Sequence, residues 1–237
     1  MRYYPRILKL KSKGVEKNMS NKVTTIREKY TVDMVTLSQL KTDTKEELTY
    51  GEKFLMEGMQ DFSHTVSENS QPVYYDARHA DNVYDAQKEE IELTFYGITP
   101  ENLAKILNYA YDATTGQFTK VPGAVRPQFA VQYRNGFIND TAKRYNTFFK
   151  VQFAELSDEQ IKNMSESYSA NPVKLKGVVM DTKHQVEYTT INGDKVKAGL
   201  RYDSIDDDVV EGIDWETKYF EKVNKPDEIK AIATKTE

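Results

Sequence analysis

Two acidic segments in the sequence have side-chain types that metal binding would require. Asp76-Ala77-Arg78-His79-Ala80-Asp81 places an imidazole between carboxylates. A zinc site would need another protein ligand and supporting partners, and no His-rich motif supplies them. The run Asp206-Asp207-Asp208 suggests calcium, but it lacks the alternating ligands and the terminal bidentate glutamate of an EF-hand. We interpret both segments as exposed, solvated loops, the second with repelling charges, and we expect no metal.

A third group combines basic and aromatic residues, as in proteins that stack single-stranded nucleic acid. Its members are Arg126, Phe129, Tyr133, Arg134, Phe137, Lys143, Arg144 and Tyr145. On alternating strands the aromatic side chains would face the core and the cations would face its rim. We favour that structural interpretation over nucleic-acid binding.

Catalytic chemistry has little support in the sequence. The 237 residues include no cysteine and only three histidines, which excludes thiol catalysis and leaves little room for His-based triads. The phosphate-binding, dinucleotide-binding, GxSxG and HExxH motifs are all missing. A carboxylate pair for glycoside hydrolysis stays open, because its spacing is a property of the fold. We expect no enzyme activity and no cofactor.

Charge divides the chain into unequal parts. Hydrophobic residues are 38% of the chain and charged residues 30%, which predicts a thin core. Residues 1–22 carry a net charge of +6, which leaves −10 for the rest of a chain whose total is −4. An acidic body argues against tight binding to nucleic-acid phosphates. The lack of an apolar run of ~18 residues predicts no membrane span and a cytoplasmic compartment.

The basic start, residues 1–22, has two interpretations. It is an arm of the kind that binds nucleic acid, or residues 1–18 lie upstream of the natural start. The second interpretation rests on Lys13-Gly14-Val15-Glu16, which purine-rich codons resembling a ribosome-binding sequence can encode, shortly before Met19.

Residues 23–203 are predicted to form a mainly β domain with one flanking helix. Alternation of apolar and polar residues is cleanest from Glu90 to Tyr96. Other predicted strands are Lys29–Leu37, Phe54–Asn69, the segment from Pro72, Gln128–Arg134, Asn146–Ala154, Val173–Met180 and a hairpin from Gln185 to Tyr202 that turns at Asn192-Gly193-Asp194. In Asn146–Ala154, Phe149, Val151 and Phe153 are expected opposite Phe148, Lys150 and Gln152.

The helix is predicted near residues 100–111. Thr99 is a suitable N-cap and Pro100 suits the first helical position. Ser38–Gly51 and the connection from Asn135 to Tyr145 are predicted loops, and Leu156–Glu166 is a short helix or a structured loop. Residues 204–237 are predicted to be an acidic loop and a charged C-terminal arm.

The order of these segments resembles the major tail proteins of siphophages that infect Gram-positive bacteria. The motifs that carry the resemblance are Thr49-Tyr50-Gly51-Glu52, Leu55-Met56-Glu57-Gly58, Pro72-Val73-Tyr74-Tyr75-Asp76-Ala77 followed by Asp81-Asn82, the strand from Glu90 with Tyr96-Gly97-Ile98-Thr99, Tyr145–Phe153, and Asn171-Pro172. Together they span roughly Lys29 to Tyr202. Extra residues between Tyr75 and Asp81-Asn82 depart from the family pattern.

The resemblance implies a structural protein of the virion. Its fold would be a tail-tube-type β-sandwich or partial barrel with one flanking helix, extended loops and terminal arms. Six copies would form a ring, and rings would stack into the non-contractile tube that delivers DNA without binding it specifically. Assembly would take place in the host cytoplasm, with other tail proteins at the tube ends and a tape measure protein in the lumen.

The predicted contacts between subunits lie in the two long loops and the termini, because long polar connections usually have a role. The candidate residues are Lys41, Asp43, Lys45, Glu46, Glu47, Tyr50, Phe137 and Arg144. Deleting Thr42–Glu47 is expected to leave a folded subunit that cannot assemble. The alternative function is a β-sandwich module that binds a carbohydrate or a receptor, as another tail component, since many tyrosines are compatible with such a groove.

Overall fold

The structure, a computed structural model, describes residues 28–68, 70–75, 78–84, 88–138, 140–156, 172–208 and 212–234. The basic start, Asp76 and the segment from Ser157 to Glu166 lie outside these residues, as do the side chains of His79 and Asp81. Within the described part the predicted mainly β class is confirmed, with a large antiparallel sheet and few helices.

Fourteen strands and three helices are described. The strands are β1 (Lys29–Asp43), β2 (Leu48–Leu55), β3 (Met59–Ser67), β4 (Ser70–Tyr75), β5 (Arg78–Tyr84), β6 (Lys88–Phe95), β7 (Ala110–Asp112), β8 (Gln117–Thr119), β9 (Gln128–Phe137), β10 (Asp140–Phe153), β11 (Val173–Val179), β12 (Gln185–Thr189), β13 (Lys195–Gly199) and β14 (Tyr202–Asp206). The helices are α1 (Pro100–Leu107), α2 (Trp215–Glu221) and α3 (Pro226–Thr234).

The main sheet has eight strands: seven follow the order β2-β1-β9-β10-β11-β6-β3, and the eighth, β14, pairs with β10 beside this path. Strand β10 divides one of its edges between two partners: Arg144–Phe148 pair with β14 and Val151–Phe153 pair with β11. The sheet folds back on itself, so that Phe62 of β3 reaches Tyr133 of β9 with ring centroids 4.5 Å apart. This curvature places β3, β6 and β11 over β1, β9 and β10, as in a sandwich.

The main core lies between these two layers. It contains Ile91, Leu93 and Phe95 of β6, which confirms the alternation predicted from Glu90 to Tyr96. Helix α1 adds Ile106 and Leu107 to the same core. The apolar side chains of all these elements are removed from water together, which is the main favourable term in folding.

A second apolar layer covers the opposite face of β1, β9 and β10. Ala130, Phe149 and Leu200 form one cluster there, against which Tyr188 of β12 packs. Cover on both faces explains why β9 and β10 are buried along most of their length, polar residues such as Gln132 and Asn146 included, a pattern that simple alternation does not predict.

The C-terminal helices complete this second layer, although an acidic loop and a charged arm are predicted there. Trp215, Tyr219 and Phe220 of α2 and Ile229 of α3 pack with Tyr145 of β10. The prediction of one flanking helix is therefore incomplete, because α2 and α3 also cover the sheet.

Two β-bulges change the direction of side chains. In β10 the register with β9 shifts between Phe148 and Val151, so Phe148 shares the main core with Val151 while Phe149 faces the second layer. The predicted grouping of Phe149 with Val151 and Phe153 is wrong for this reason. In β1 the register shifts between Asp33 and Thr36, at a residue with positive φ, Met34 (φ 53°).

Helix α1 begins as predicted and ends early. The Thr99 hydroxyl accepts a 3.3 Å hydrogen bond from the Asn102 N–H, and Pro100 is the first residue of the helix. The helix stops at Leu107 because Asn108 is left-handed (φ 58°). Tyr111, near which the helix was predicted to end, lies in β7.

The two predicted long loops are largely strands. Ser38–Gly51 comprises the end of β1, a turn at Thr44–Glu47 and the start of β2. Asn135–Tyr145 comprises the end of β9 and the start of β10, which pair with each other from Phe137 and Asp140. The polar side chains of these two segments belong to paired strands, so the prediction of loops from polarity alone is wrong. The predicted strand Phe54–Asn69 is interrupted before β3, where Gly58 has φ 76°. The hairpin turn at Asn192-Gly193 is confirmed.

Candidate functional site

The residues predicted to contact other subunits divide into an exposed set and an internal set. Lys41, Lys45, Glu46 and Glu47 are exposed at or near the β1–β2 turn. The other four, Asp43, Tyr50, Phe137 and Arg144, have their main partners within the subunit. The structure therefore brings only the first set together on one surface.

Asp43 is the centre of a buried ion pair. Its carboxylate accepts a 2.7 Å hydrogen bond from Lys150 Nζ, and the two side chains are 9% and 11% exposed. The backbone N–H groups of Lys183 and His184 also donate to it, at 2.7 and 3.2 Å. Burial alone would raise the pKa of the Asp43 carboxyl, but these hydrogen bonds outweigh burial and hold the pKa below its ordinary value.

The segment Lys183–His184, which donates to Asp43, also contacts the β1–β2 turn itself. A ring nitrogen of His184 lies 3.1 Å from the backbone oxygen of Lys45. Tyr50, on the returning strand, donates a 2.8 Å hydrogen bond to the backbone oxygen of Phe149, and burial raises the pKa of its hydroxyl. The turn is thus fixed to the rest of the subunit, and Asp43 and Tyr50 are structural residues.

Arg144 and Phe137 are also engaged internally. The Arg144 guanidinium forms a two-pronged contact with Asp206, at 2.6 and 2.9 Å, and lies 5.6 Å from the centre of the Phe137 ring. Asp207 accepts a 2.9 Å hydrogen bond from the Lys143 N–H. The prediction of a solvated, repulsive Asp206–Asp208 loop is therefore wrong for these two residues.

The other two arginines of the basic and aromatic group have carboxylate partners as well. Arg134 contacts Asp33, at 2.7 and 2.8 Å, and Glu216, while Arg126 contacts Glu155. The aromatic members Phe129, Tyr133, Phe137 and Tyr145 are all buried, as the structural interpretation predicts. The rings and the three arginine charges of this group are therefore engaged within the subunit.

The open edges of the main sheet are the surfaces that sequence reasoning missed. Among the described strands β2 pairs only with β1, and β3 pairs only with β6. Each therefore has one edge whose backbone donors and acceptors meet no described strand. Exposed apolar residues lie on both strands: Leu55 on β2 and Val66 on β3 are each 47% exposed. The strand pattern could have located both strands, but only the topology shows that they are the last in the order.

Strand β2 lies between two grooves. One, of about 680 Å³, separates it from α1, and the other, of about 540 Å³, separates it from the connection between α2 and α3. The Lys53 ammonium donates across the second groove to the Phe220 backbone oxygen. These neighbours flank β2 on either side of the sheet.

Strand β3 borders a cleft of about 490 Å³ that separates it from the first residues of β1. Tyr30, which is 72% exposed, and His64 both line it. Nε2 of His64 lies 2.7 Å from Oε1 of Glu89, whose side chain is only 6% exposed, and Arg201 contacts the same carboxylate at 3.5 Å. The start of β1 pairs with β9 on one side and approaches β3 on the other, with no described ladder between them.

The hairpin of β3 and β6 continues into a second one. Strands β4 and β5 pair from Ser70 with Tyr84 to Tyr75 with Arg78, as a two-stranded sheet separate from the main one.

The solvent-facing side of β3, β6 and β11 is polar: Glu92 pairs with Lys174 at 2.6 Å and with Lys176 at 3.6 Å.

Metal and membrane features were searched over the described residues. No group of three or more His, Asp or Glu side chains in that part is placed to hold a metal ion. No helix there is both long and apolar enough to cross a bilayer.

No protein-family model matches the chain, and no curated protein matches it in sequence.

Proposed function

We propose that the protein is a structural subunit of a virion, the major tail protein of a siphophage. Copies of it assemble into six-fold rings that stack into the non-contractile tail tube, through which DNA passes into the host. Its partners are other copies of itself, other tail proteins at the tube ends and a tape measure protein in the lumen. The order of sequence motifs motivates the proposed family, and the sheet topology supports this mode of assembly.

The observation that carries the proposal is that the antiparallel sheet of the described strands ends in two different open edges, β2 and β3. A contact between β3 of one copy and the β2 side of the next uses two different surfaces, so it repeats head to tail. Such heterologous contacts close into a ring when the rotation between copies divides a full turn. Each such contact pairs backbone groups that meet no described strand in the single subunit.

The composition of β3 supports pairing rather than protection. Protected edges carry lysine, proline or a covering element, whereas the nine residues Met59–Ser67 contain no lysine and no proline. An edge of this length is a template for another strand. Pairing between copies would use this unprotected edge as an interface.

The charge distribution supports a conduit for DNA. The chain after residue 22 has a formal net charge of −10, and Arg126, Arg134 and Arg144 are each paired with carboxylates. A net negative surface on which these arginines are paired binds phosphates weakly, which lets DNA slide.

Electron microscopy of the purified protein tests this proposal. We expect rings or tubes of uniform bore, and discrete monomers at high concentration would contradict it. Val66→Lys places a charge on the β3 edge and should abolish assembly, with folding retained by circular dichroism. Val178→Lys is the matched control: Val178 is 39% exposed but lies on β11, which has a partner on each side, so this variant should still assemble.

The cleft beside β3 favours a second candidate, a module that binds carbohydrate. Its lining combines Tyr30 with polar Gln60, Asp61 and Asn135, and sugar sites use such combinations of a ring and hydrogen-bonding groups. Monomers that bind glycans, with affinity lost in Tyr30→Ala, would favour this function over the tail tube.

A further inference from the structure

The β12–β13 turn presents an asparagine followed by glycine to solvent. Ile191, Asn192 and Gly193 are exposed, and Ile191 has its full surface in water. Gly193 has φ 90°, and a Cβ added to it would meet no atom within 4 Å. The turn is held by a 2.9 Å hydrogen bond from the Gly193 N–H to the Thr190 backbone oxygen and by one from Thr190 N–H to Asp194 O at 2.8 Å.

We propose that Asn192 is a site of spontaneous deamidation. The backbone nitrogen of Gly193 loses its proton to water or hydroxide and attacks Cγ of the Asn192 side chain. A five-membered succinimide forms, and the side-chain nitrogen leaves as ammonia. Water then opens the ring at either carbonyl, which gives aspartate or isoaspartate. The balance is asparagine plus water giving the acid plus ammonia, and no other reactant is needed.

Glycine makes this nucleophile accessible because it has no Cβ to obstruct the attack or restrict the backbone. The hydrogen bond from the Gly193 N–H to Thr190 must open first. In an exposed two-stranded hairpin such local opening costs little, because few apolar contacts are lost. Gly193 therefore reaches the reactive geometry without unfolding of the main sheet.

The chain contains an internal comparison, Asn135-Gly136, which lies in the middle of the main sheet. Asn135 is 4% exposed, and its side-chain amide donates to the Thr31 backbone oxygen at 3.2 Å while its Oδ1 accepts from Asn146 at 2.9 Å. Gly136 pairs with strands on both sides, at Thr31 and Lys143. Attack at this site requires opening of the central strands.

Conversion at Asn192 has two local effects. Each event adds a negative charge to the tip of the hairpin. The isoaspartate product also adds a carbon to the backbone, which disrupts the register between Thr190 and Asp194. Both changes stay within a turn whose residues belong to neither of the two apolar layers in the described part of the chain, so the fold tolerates them.

Peptide mapping by mass spectrometry tests the proposal. The intact protein is incubated at mildly alkaline pH in water enriched in oxygen-18, then digested. We expect the Asn192 peptide to gain the amide-to-acid mass difference with one heavy oxygen, roughly tenfold or more faster than the Asn135 peptide, because the buried site must open first. Asn192→Ala should lose this signal and the isoaspartate, with the Asn135 signal unchanged.

A second incubation in denaturant shows whether the fold sets the difference. There both peptides should convert at similar rates, since both are Asn-Gly. Equal rates in the folded protein, or conversion of Asn192 only after denaturation, would overturn the proposal.

Discussion

Lys150 Nζ lies 2.7 Å from the Asp43 carboxylate, although 107 residues separate them in the chain. The contact joins the tip of the β1–β2 hairpin to the central strand β10. Both side chains are almost fully buried, so each charge depends on the other for compensation.

Removing one member of this pair should destabilise the subunit strongly. We expect Asp43→Ala to lower the free energy of unfolding by about 3–5 kcal/mol, because Lys150 is left buried and uncompensated. Urea denaturation measures the change. Glu187→Ala is the matched control: its partner Lys195 is 68% exposed, and the loss should be about 0–1 kcal/mol. Equal losses in the two variants would show that burial does not set the energy.

The contribution of Asp43 should depend on pH in a defined direction. Its folded pKa lies below the unfolded value of about 3.9, so its stabilisation is present above pH ~4 and is lost as the pH falls through the folded pKa. The difference in unfolding free energy between the natural protein and Asp43→Asn should therefore be largest near neutral pH and shrink below pH ~4. Denaturation at a series of pH values checks this, with Glu187→Gln as the charge control. A difference that grows on acidification would contradict the assignment.

The deletion of Thr42–Glu47 has a different expected outcome once the structure is considered. It removes Asp43 with the end of β1 and the whole turn, so we expect a poorly folded protein rather than a folded subunit that fails to assemble. Replacing the exposed Lys45, Glu46 and Glu47 together by serine separates the two effects. This variant should unfold within about 0.5 kcal/mol of the natural protein. If the turn contacts the next ring, tubes should shorten or disappear in electron micrographs; normal tubes would remove the turn from the interface.

Gly177 should be intolerant of a side chain. A Cβ there would lie 2.6 Å from a Val151 methyl group and 3.1 Å from the Phe153 ring. We expect Gly177→Ala to cost about 1–3 kcal/mol through overpacking, seen as a lower Tm. Gly97→Ala is the control, because no atom lies within 4 Å of the new methyl group, and its effect should stay within about 0.5 kcal/mol. A stable Gly177→Ala protein would mean that β10 and β11 adjust easily.

Local sequence signals predicted the elements whose formation depends on residues close to one another in the chain. The alternation of Ile91, Leu93 and Phe95 identified β6, and the Thr99-Pro100 pair identified the start of α1. Such patterns depend only on strand and helix periodicity. They were sufficient for the fold class.

Long-range relationships were not predictable in the same way. No local pattern pairs Asp43 with Lys150 or Arg144 with Asp206, so these residues were assigned to surfaces instead of to the interior. Helix α2 did have a local signal, since Asp214 caps it and Trp215 and Tyr219 are spaced by one turn. The acidic composition around it obscured that signal.

The divided edge of β10 has a consequence for the order of folding. On this edge Arg144–Phe148 of β10 pair with Tyr202–Asp206, and Val151–Phe153 pair with Gly177–Val179. The pairing of the central strand therefore requires contacts that close long loops. Contacts of this kind slow folding, because loop entropy is lost before the contacts form. A chain still on the ribosome and lacking β14 therefore has a central strand with part of one edge unfilled. Completion of the sheet therefore follows the synthesis of β14.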